Sequence, residues 1–185
     1  MIEDILLETE MHMEDTIEAT RRHFGQIRTG RASPALVEHI LVDYYGTPTP
    51  LQQLATISTP DPRLIVIAPY DKTQMHAYEK ALALSDLGLT PNSDGNVIRI
   101  VIPPLTEERR KELVKVVSKM AEESREAIRG HRRHANNRLR ALEREKVISE
   151  DDFHRAQEQV QELHDEYIQR LNELLRAKEQ EIMEV

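Results

Sequence analysis

The chain has 185 residues, enough for one or two domains with a real core, and its lack of cysteine excludes disulfides and thiolate metal sites. Its formal net charge is -8, which by itself speaks against nucleic acid. Aromatic residues make up 4% and tryptophan is absent, so any RNA contact is expected through phosphates and shape rather than base stacking.

No long apolar run and no basic-then-apolar leader interrupts the chain, and the mean hydropathy is -0.58. A soluble cytoplasmic protein without a membrane span is expected. Residues 2–28 place Ile2, Leu6, Thr9, Met13, Ile17, Thr20, Phe24 and Ile27 at alternating steps of three and four, the pattern of a coiled-coil-type helix. Thr9, Thr20 and Gly25 weaken that helix, so it needs partners.

At Thr29-Gly30-Arg31 the composition changes, and all nine prolines lie between Pro34 and Pro104. Val37–Tyr45 reads as a strand followed by a turn over Gly46–Pro50, and Leu54–Ser58 and Arg63–Ala68 read as two more. Asp71 caps a helix carrying Met75, Tyr78, Ala81 and Leu82. After a loop over Ser85–Gly95, Val97–Ile102 is a short apolar strand. Pro103-Pro104 ends this module. Thr106 then caps a long helix with Glu107 and Glu108 in its first turn, and Ser149 caps a last one with Glu150, Asp151 and Asp152.

None of the three long helices can bury its apolar seam alone. The expected fold is therefore α+β: an elongated antiparallel three-helix bundle built from residues 1–29 and 106–185, with a small β/α/β sandwich domain inserted at 31–104. The connectors Thr29-Gly30-Arg31 and Pro103-Pro104-Leu105 are the expected hinges, giving a bent molecule with a rigid long arm and a mobile short one.

Charge is distributed unevenly. Residues 109–146 carry 13 basic against 6 acidic side chains, a net +7, whereas residues 147–185 carry 4 against 11, a net -7. Between Ala127 and Leu142 stand five basic residues and no acidic one. On a helical wheel Arg125, Arg129, Arg132, Arg133, Asn136 and Arg140 share one narrow arc. Leu113, Val117, Met120, Ile128, Ala135, Leu139 and Leu142 share the far side. No acidic residue stands at i+3 or i+4 inside that stretch, where a merely soluble face would mix signs. The stripe reads as a phosphate-docking surface.

Catalytic chemistry finds no support. His131 and His134 are three apart on a helix without a carboxylate at a matching turn, and His131 falls on the apolar side, as a structural histidine would. Ser33 is in no nucleophile elbow, Gly88 and Gly95 form no phosphate loop, and the acidic clusters lie at helix starts. A binding or assembly factor is expected, with no cofactor, metal or small-molecule substrate. A coiled-coil adaptor or chaperone-like interaction protein, whose basic helix pairs with an acidic partner, is the alternative.

Eight blocks, in order and spanning the chain, carry a resemblance: Ile27-Arg-Thr-Gly-Arg-Ala-Ser-Pro34, Val42-Asp-Tyr-Tyr-Gly46, Leu54-Ala-Thr-Ile57, Ser85-Asp-Leu-Gly-Leu89, Leu105-Thr-Glu-Glu-Arg-Arg-Lys111, Arg129 with Arg132 and Arg133, Ser149-Glu-Asp-Asp152, and Lys178 to Met183. They resemble the bacterial ribosome recycling factors. The resemblance implies an L-shaped, two-domain monomer. With elongation factor G and GTP it separates the ribosomal subunits after peptide release, lying on large-subunit rRNA across the A and P tRNA sites and hydrolysing nothing itself. It further implies that Arg129, Arg132 and Arg133 grip rRNA, helped by Arg28, Arg31, Arg109 and Arg110. Gly130, His131 and His134 depart from the usual pattern of that family. Tyr44, Tyr45 and the loop near Pro60 are exposed candidates for meeting the translocase, though turn and core roles explain them as well.

Overall fold

The computed structural model describes residues 1–85 and 90–184. They form two compact units, Met1–Phe24 with Lys111–Val185, and Gly25–Arg110. Among the described residues the α-helices are α1 (Ile2–Gly25), α2 (Met75–Ala83), α3 (Glu107–Arg144) and α4 (Glu150–Met183). The strands are β1 (Leu41–Tyr44), β2 (Thr47–Pro50), β3 (Ala55–Asp61), β4 (Leu64–Pro69), β5 (Pro91–Ser93) and β6 (Ile98–Val101).

The first unit is the three-helix bundle. One core cluster joins Ile5 of α1 to Ala135 and Leu139 of α3 and to Phe153, Ala156 and Val160 of α4. The next joins Met13 and Ile17 to Ile128, Tyr167 and Leu171. Numbers rise along α1 and α4 as they fall along α3, so α3 runs antiparallel to the other two. The caps are those the sequence indicates: the Arg109 N–H donates to Thr106 Oγ1 at 3.1 Å and the Asp152 N–H to Ser149 Oγ at 3.0 Å.

Threonines in the α1 seam are accommodated by local bonds. Thr9 and Thr20 are buried, and their hydroxyls donate to the carbonyls of Ile5 and Thr16 at 2.6 and 2.8 Å. Thr20 Oγ1 also lies 2.6 Å from Ser124 Oγ of α3. Along the bundle Thr9 falls between the two apolar clusters, while Thr20, Ser124 and Ala121 lie beyond the second.

The second unit contains a four-stranded antiparallel sheet of order β3-β4-β6-β5 and a separate β1-β2 hairpin. Val42, Leu51, Ile65, Ile67, Ile98 and Ile100 share one core with Tyr78 and Leu82 of α2. Three sequence expectations change here. The first strand begins only at Leu41, because Ser33 Oγ accepts the Ala35 N–H at 3.3 Å and starts a 3₁₀ turn at Pro34–Leu36. Gly46–Pro50 supplies β2 rather than a plain turn. Tyr44 pairs with Thr47, leaving Tyr45 and Gly46 as the two loop residues, and both have positive φ, +51° and +84°, as a tight hairpin with matching twist requires. Pro48 and Pro50 are tolerated because β2 is an edge strand. Finally, β5 lies within the stretch expected to be loop; residues 86–89 of that stretch are outside the described residues.

Candidate nucleic-acid interface

The wheel drawn for α3 has the right phase. Leu113, Val117, Ile128, Ala135 and Leu139 are buried, while Met120 and Leu142 are half-buried at its edge. The seam continues through Ala121, whose small side chain carried little signal. Arg133 on the opposite face has 59% of its side chain exposed and Arg129 37%.

The polar arc is not uniform. Arg125 leans onto α4, donating from Nε and Nη2 to Asn172 Oδ1 at 3.1 and 2.8 Å. Arg132 reaches Gln161 Oε1 of α4 at 3.3 Å. Arg140 holds its guanidinium 5.5 Å from the Phe153 ring, and Arg138 pairs with Glu8 of α1. Arg129 and Arg133 stay on the outer surface of α3.

The absence of acidic partners inferred for the stripe does not hold. Arg129 Nη1 is 3.0 Å from Glu122 and 3.4 Å from Glu126, and Arg133 Nη2 is 2.9 Å from Glu126. The partners lie three and seven residues upstream, outside the stretch searched. Helical side chains point toward the N-terminus, and an arginine long enough to span two turns reaches a carboxylate there. Hydrogen bonds from Arg129 and Arg133 hold the Glu122 and Glu126 carboxyls below the usual range, so both are charged at neutral pH.

The other predicted arginines belong to the second unit. Arg31 and Arg109 are exposed and Arg28 and Arg110 half-buried; Arg110 Nε is buried without a hydrogen-bond partner among the described residues. Of the predicted hinge residues, Thr29 and Leu105 are buried and Pro103 and Pro104 exposed. Gly30 has φ +81°, and a Cβ on it would stand 3.4 Å from the Leu105 side chain and backbone, so the two connectors touch. Tyr45 and Pro60 are exposed and Tyr44 half-buried, with the Tyr45 hydroxyl donating to Asp71 Oδ2 at 2.9 Å.

His131 is the half-buried structural histidine its wheel position indicates. The Thr16 hydroxyl donates to the His12 carbonyl at 3.0 Å, so its oxygen accepts from His131 Nε2 at 3.1 Å. The His12 and His131 rings stack with centroids 5.5 Å apart. Burial, then the nearby His12 and His134, push the His131 pKa down. Among the described residues no group of three or more His, Asp or Glu is placed to hold a metal ion, and no helix is long and apolar enough to cross a membrane.

Comparison with known proteins covers the chain from end to end. A family model described as Ribosome recycling factor matches residues 20–183. The ribosome-recycling factor of Carboxydothermus hydrogenoformans is 56% identical over 185 residues, with both chains covered completely. That of Syntrophomonas wolfei is 54% identical over the same span, again with both chains covered completely. A solution structure of a ribosome recycling factor superposes with a TM-score of 0.81 at 46% identity, covering 100% of this chain and 98% of that one. Models for the Thermus thermophilus ribosome recycling factor and the Escherichia coli elongation factor G bound to the E. coli post-termination complex give 0.70 at 44% identity, with both chains covered completely. Agreement in sequence over the full length, and in fold with solved members, places this chain in the ribosome recycling factor family of non-catalytic translation factors.

Proposed function

We propose that this protein, with elongation factor G and GTP, disassembles the post-termination ribosomal complex, and that it docks through the arginine face of α3 on large-subunit rRNA in the region of the A and P tRNA sites. Full-length similarity to a recycling factor described with elongation factor G on the post-termination complex supports the partners. The observation that carries the docking face is the position of Arg129 and Arg133 on the outer surface of α3, away from its buried seam, with Arg132 half-exposed beside them at the edge facing α4. Three guanidiniums along one rigid helix present donors suited to phosphate oxygens. Arg28, Arg31, Arg109 and Arg110 of the second unit supply further contacts to rRNA. The connectors at 29–31 and 103–105 serve as the joint through which the translocase moves the inserted domain, so the factor acts mechanically, as a monomer in the cytoplasm.

The test is breakdown of puromycin-treated polysomes by the protein, elongation factor G and GTP on a sucrose gradient, beside Arg132→Gly. Conversion to monosomes or subunits that needs all three components and fails with the variant is expected. Persistent polysomes with ribosome cosedimentation would remove the reaction and keep the docking; loss of cosedimentation by the native protein would bring forward the adaptor reading.

A further inference from the structure

Resting on that reading, we propose that Gln161 and Asp165 of α4 are positioning residues that hold Arg132 in place for a phosphate. Of the three docking arginines, Arg129 and Arg133 are held by carboxylates and Arg132 by a neutral amide. The orientation of that amide is set by a second bond. Gln161 Nε2 donates to Asp165 Oδ1 at 2.9 Å, which turns Oε1 toward Arg132 Nη1 at 3.3 Å. Asp165 is itself anchored, because its Oδ1 also accepts from His164 Nδ1 at 2.9 Å. The His164 side chain is only 13% exposed. Hydrogen bonds from His164 and Gln161 hold the Asp165 carboxyl below its usual range, so the anchor is ionised at neutral pH.

The chemistry of the acceptor matters. A guanidinium has five N–H donors, and one spent on Gln161 leaves the others for a phosphate. A carboxylate in the same place would hold the side chain equally well but cancel its charge. Gln161 therefore orders Arg132 with no carboxylate bonded to it, the Asp165 charge standing one residue further back, whereas Glu122 and Glu126 must be displaced from Arg129 and Arg133. Ordering an arginine before binding reduces the entropy lost when it docks, an effect equivalent to about three- to ten-fold in affinity for one such side chain.

The measurement is binding of the full-length protein to vacant ribosomes across a salt series, for Gln161→Ala, Gln161→Glu and each of these combined with Arg132→Ala, with thermal melts alongside. Gln161→Ala is expected to bind about three- to ten-fold more weakly with an unchanged slope against log salt, since the number of charges is unchanged. Gln161→Glu should melt like the native protein yet bind more weakly still, on the order of ten-fold, because its carboxylate neutralises Arg132. Both losses should vanish in the Arg132→Ala background. Native affinity in Gln161→Ala, or recovery of binding by Gln161→Glu, would overturn the positioning role while leaving the docking face intact. Native affinity in Arg132→Ala alone would overturn the docking face and this inference together.

Discussion

Leu139→Ala tests the phase of α3 directly. Leu139 is fully buried and packs with Ile5 of α1 and with Phe153, Ala156 and Val160 of α4. The substitution removes roughly three methylene equivalents at about 0.8 kcal/mol each, about 2.4 kcal/mol in transfer alone. A cavity term adds to this. Ala135 and Ala156 lie in the same cluster and have no side-chain length with which to fill the gap, so the surroundings collapse poorly and the total moves toward about 3–4 kcal/mol. Urea denaturation followed by helical circular dichroism should show the loss as a lower midpoint. Arg133→Ala, from the exposed side of the same helix, should shift stability by no more than about 0.5 kcal/mol while weakening ribosome binding. A loss below about 1 kcal/mol in Leu139→Ala would mean that this face of α3 is not the buried one, and the assignment of the opposite face to docking would fall with it.

Gly130→Ala should stabilise the bundle by about 0.5–1 kcal/mol, because a Cβ there meets only the end of the Arg133 side chain at 3.7 Å and the position is helical; a lower melting temperature would refute this. Glu14 accepts two bonds from Arg170, at 2.7 and 3.0 Å, and one from the Tyr167 hydroxyl at 2.8 Å, which lowers its pKa from 4.5 to about 2. The unfolded chain thus binds the extra proton between those values, and the contribution of the pair is full above pH 4.5 and lost as pH falls through about 2. With 40% of the Glu14 side chain exposed, screening holds that contribution to about 1 kcal/mol, measurable as a stability gap between the native protein and Glu14→Gln that closes in acid. A gap that persists undiminished at the acid end would assign the effect to packing. Glu126→Gln, which removes the carboxylate charge bonded to Arg133 and one of the two bonded to Arg129, should tighten ribosome binding about two- to five-fold at low salt, with the gain fading as salt rises; weaker binding would show that the carboxylate supports the face rather than competing with it.

Periodicity made the long helices readable because each apolar seam repeats over many turns, and the caps at Thr106 and Ser149 mark their starts chemically. The inserted domain was harder. Tyr45 and Gly46 form a hairpin turn with a residue pair outside the commonest turn dipeptides, and β5 is three residues of Pro-Asn-Ser whose strand character comes from pairing with β6. On the candidate interface, the arginines were visible as a local reversal of charge. Their partners were not, since Glu122 and Glu126 fall outside the stretch that defined the stripe, and the contact between Arg132 and Gln161 joins residues 29 apart in sequence. Spacing on one helix identifies a face; which groups on a neighbouring helix complete it is decided by how the helices pack.

The mechanical role proposed above needs helices that do not slide past one another. An apolar seam alone resists this poorly, because a repeating pattern leaves a one-turn shift nearly as well buried. In the bundle the apolar register is reinforced by polar pairs between the helices. Glu14 ties α1 to Arg170 and Tyr167 of α4, Arg138 ties α3 to Glu8 of α1, and Arg125 ties α3 to Asn172 of α4. Ser118 adds a further tie to Glu179, donating at 3.2 Å. Each pair contributes little to stability at the surface, yet a slide would break several together. Along α3, a rod of 38 residues and about 57 Å, the docking arginines are thus carried on a helix whose position relative to its neighbours is specified at several points. On the proposed reading, a push on the bundle would be delivered to the docked phosphates rather than absorbed within it.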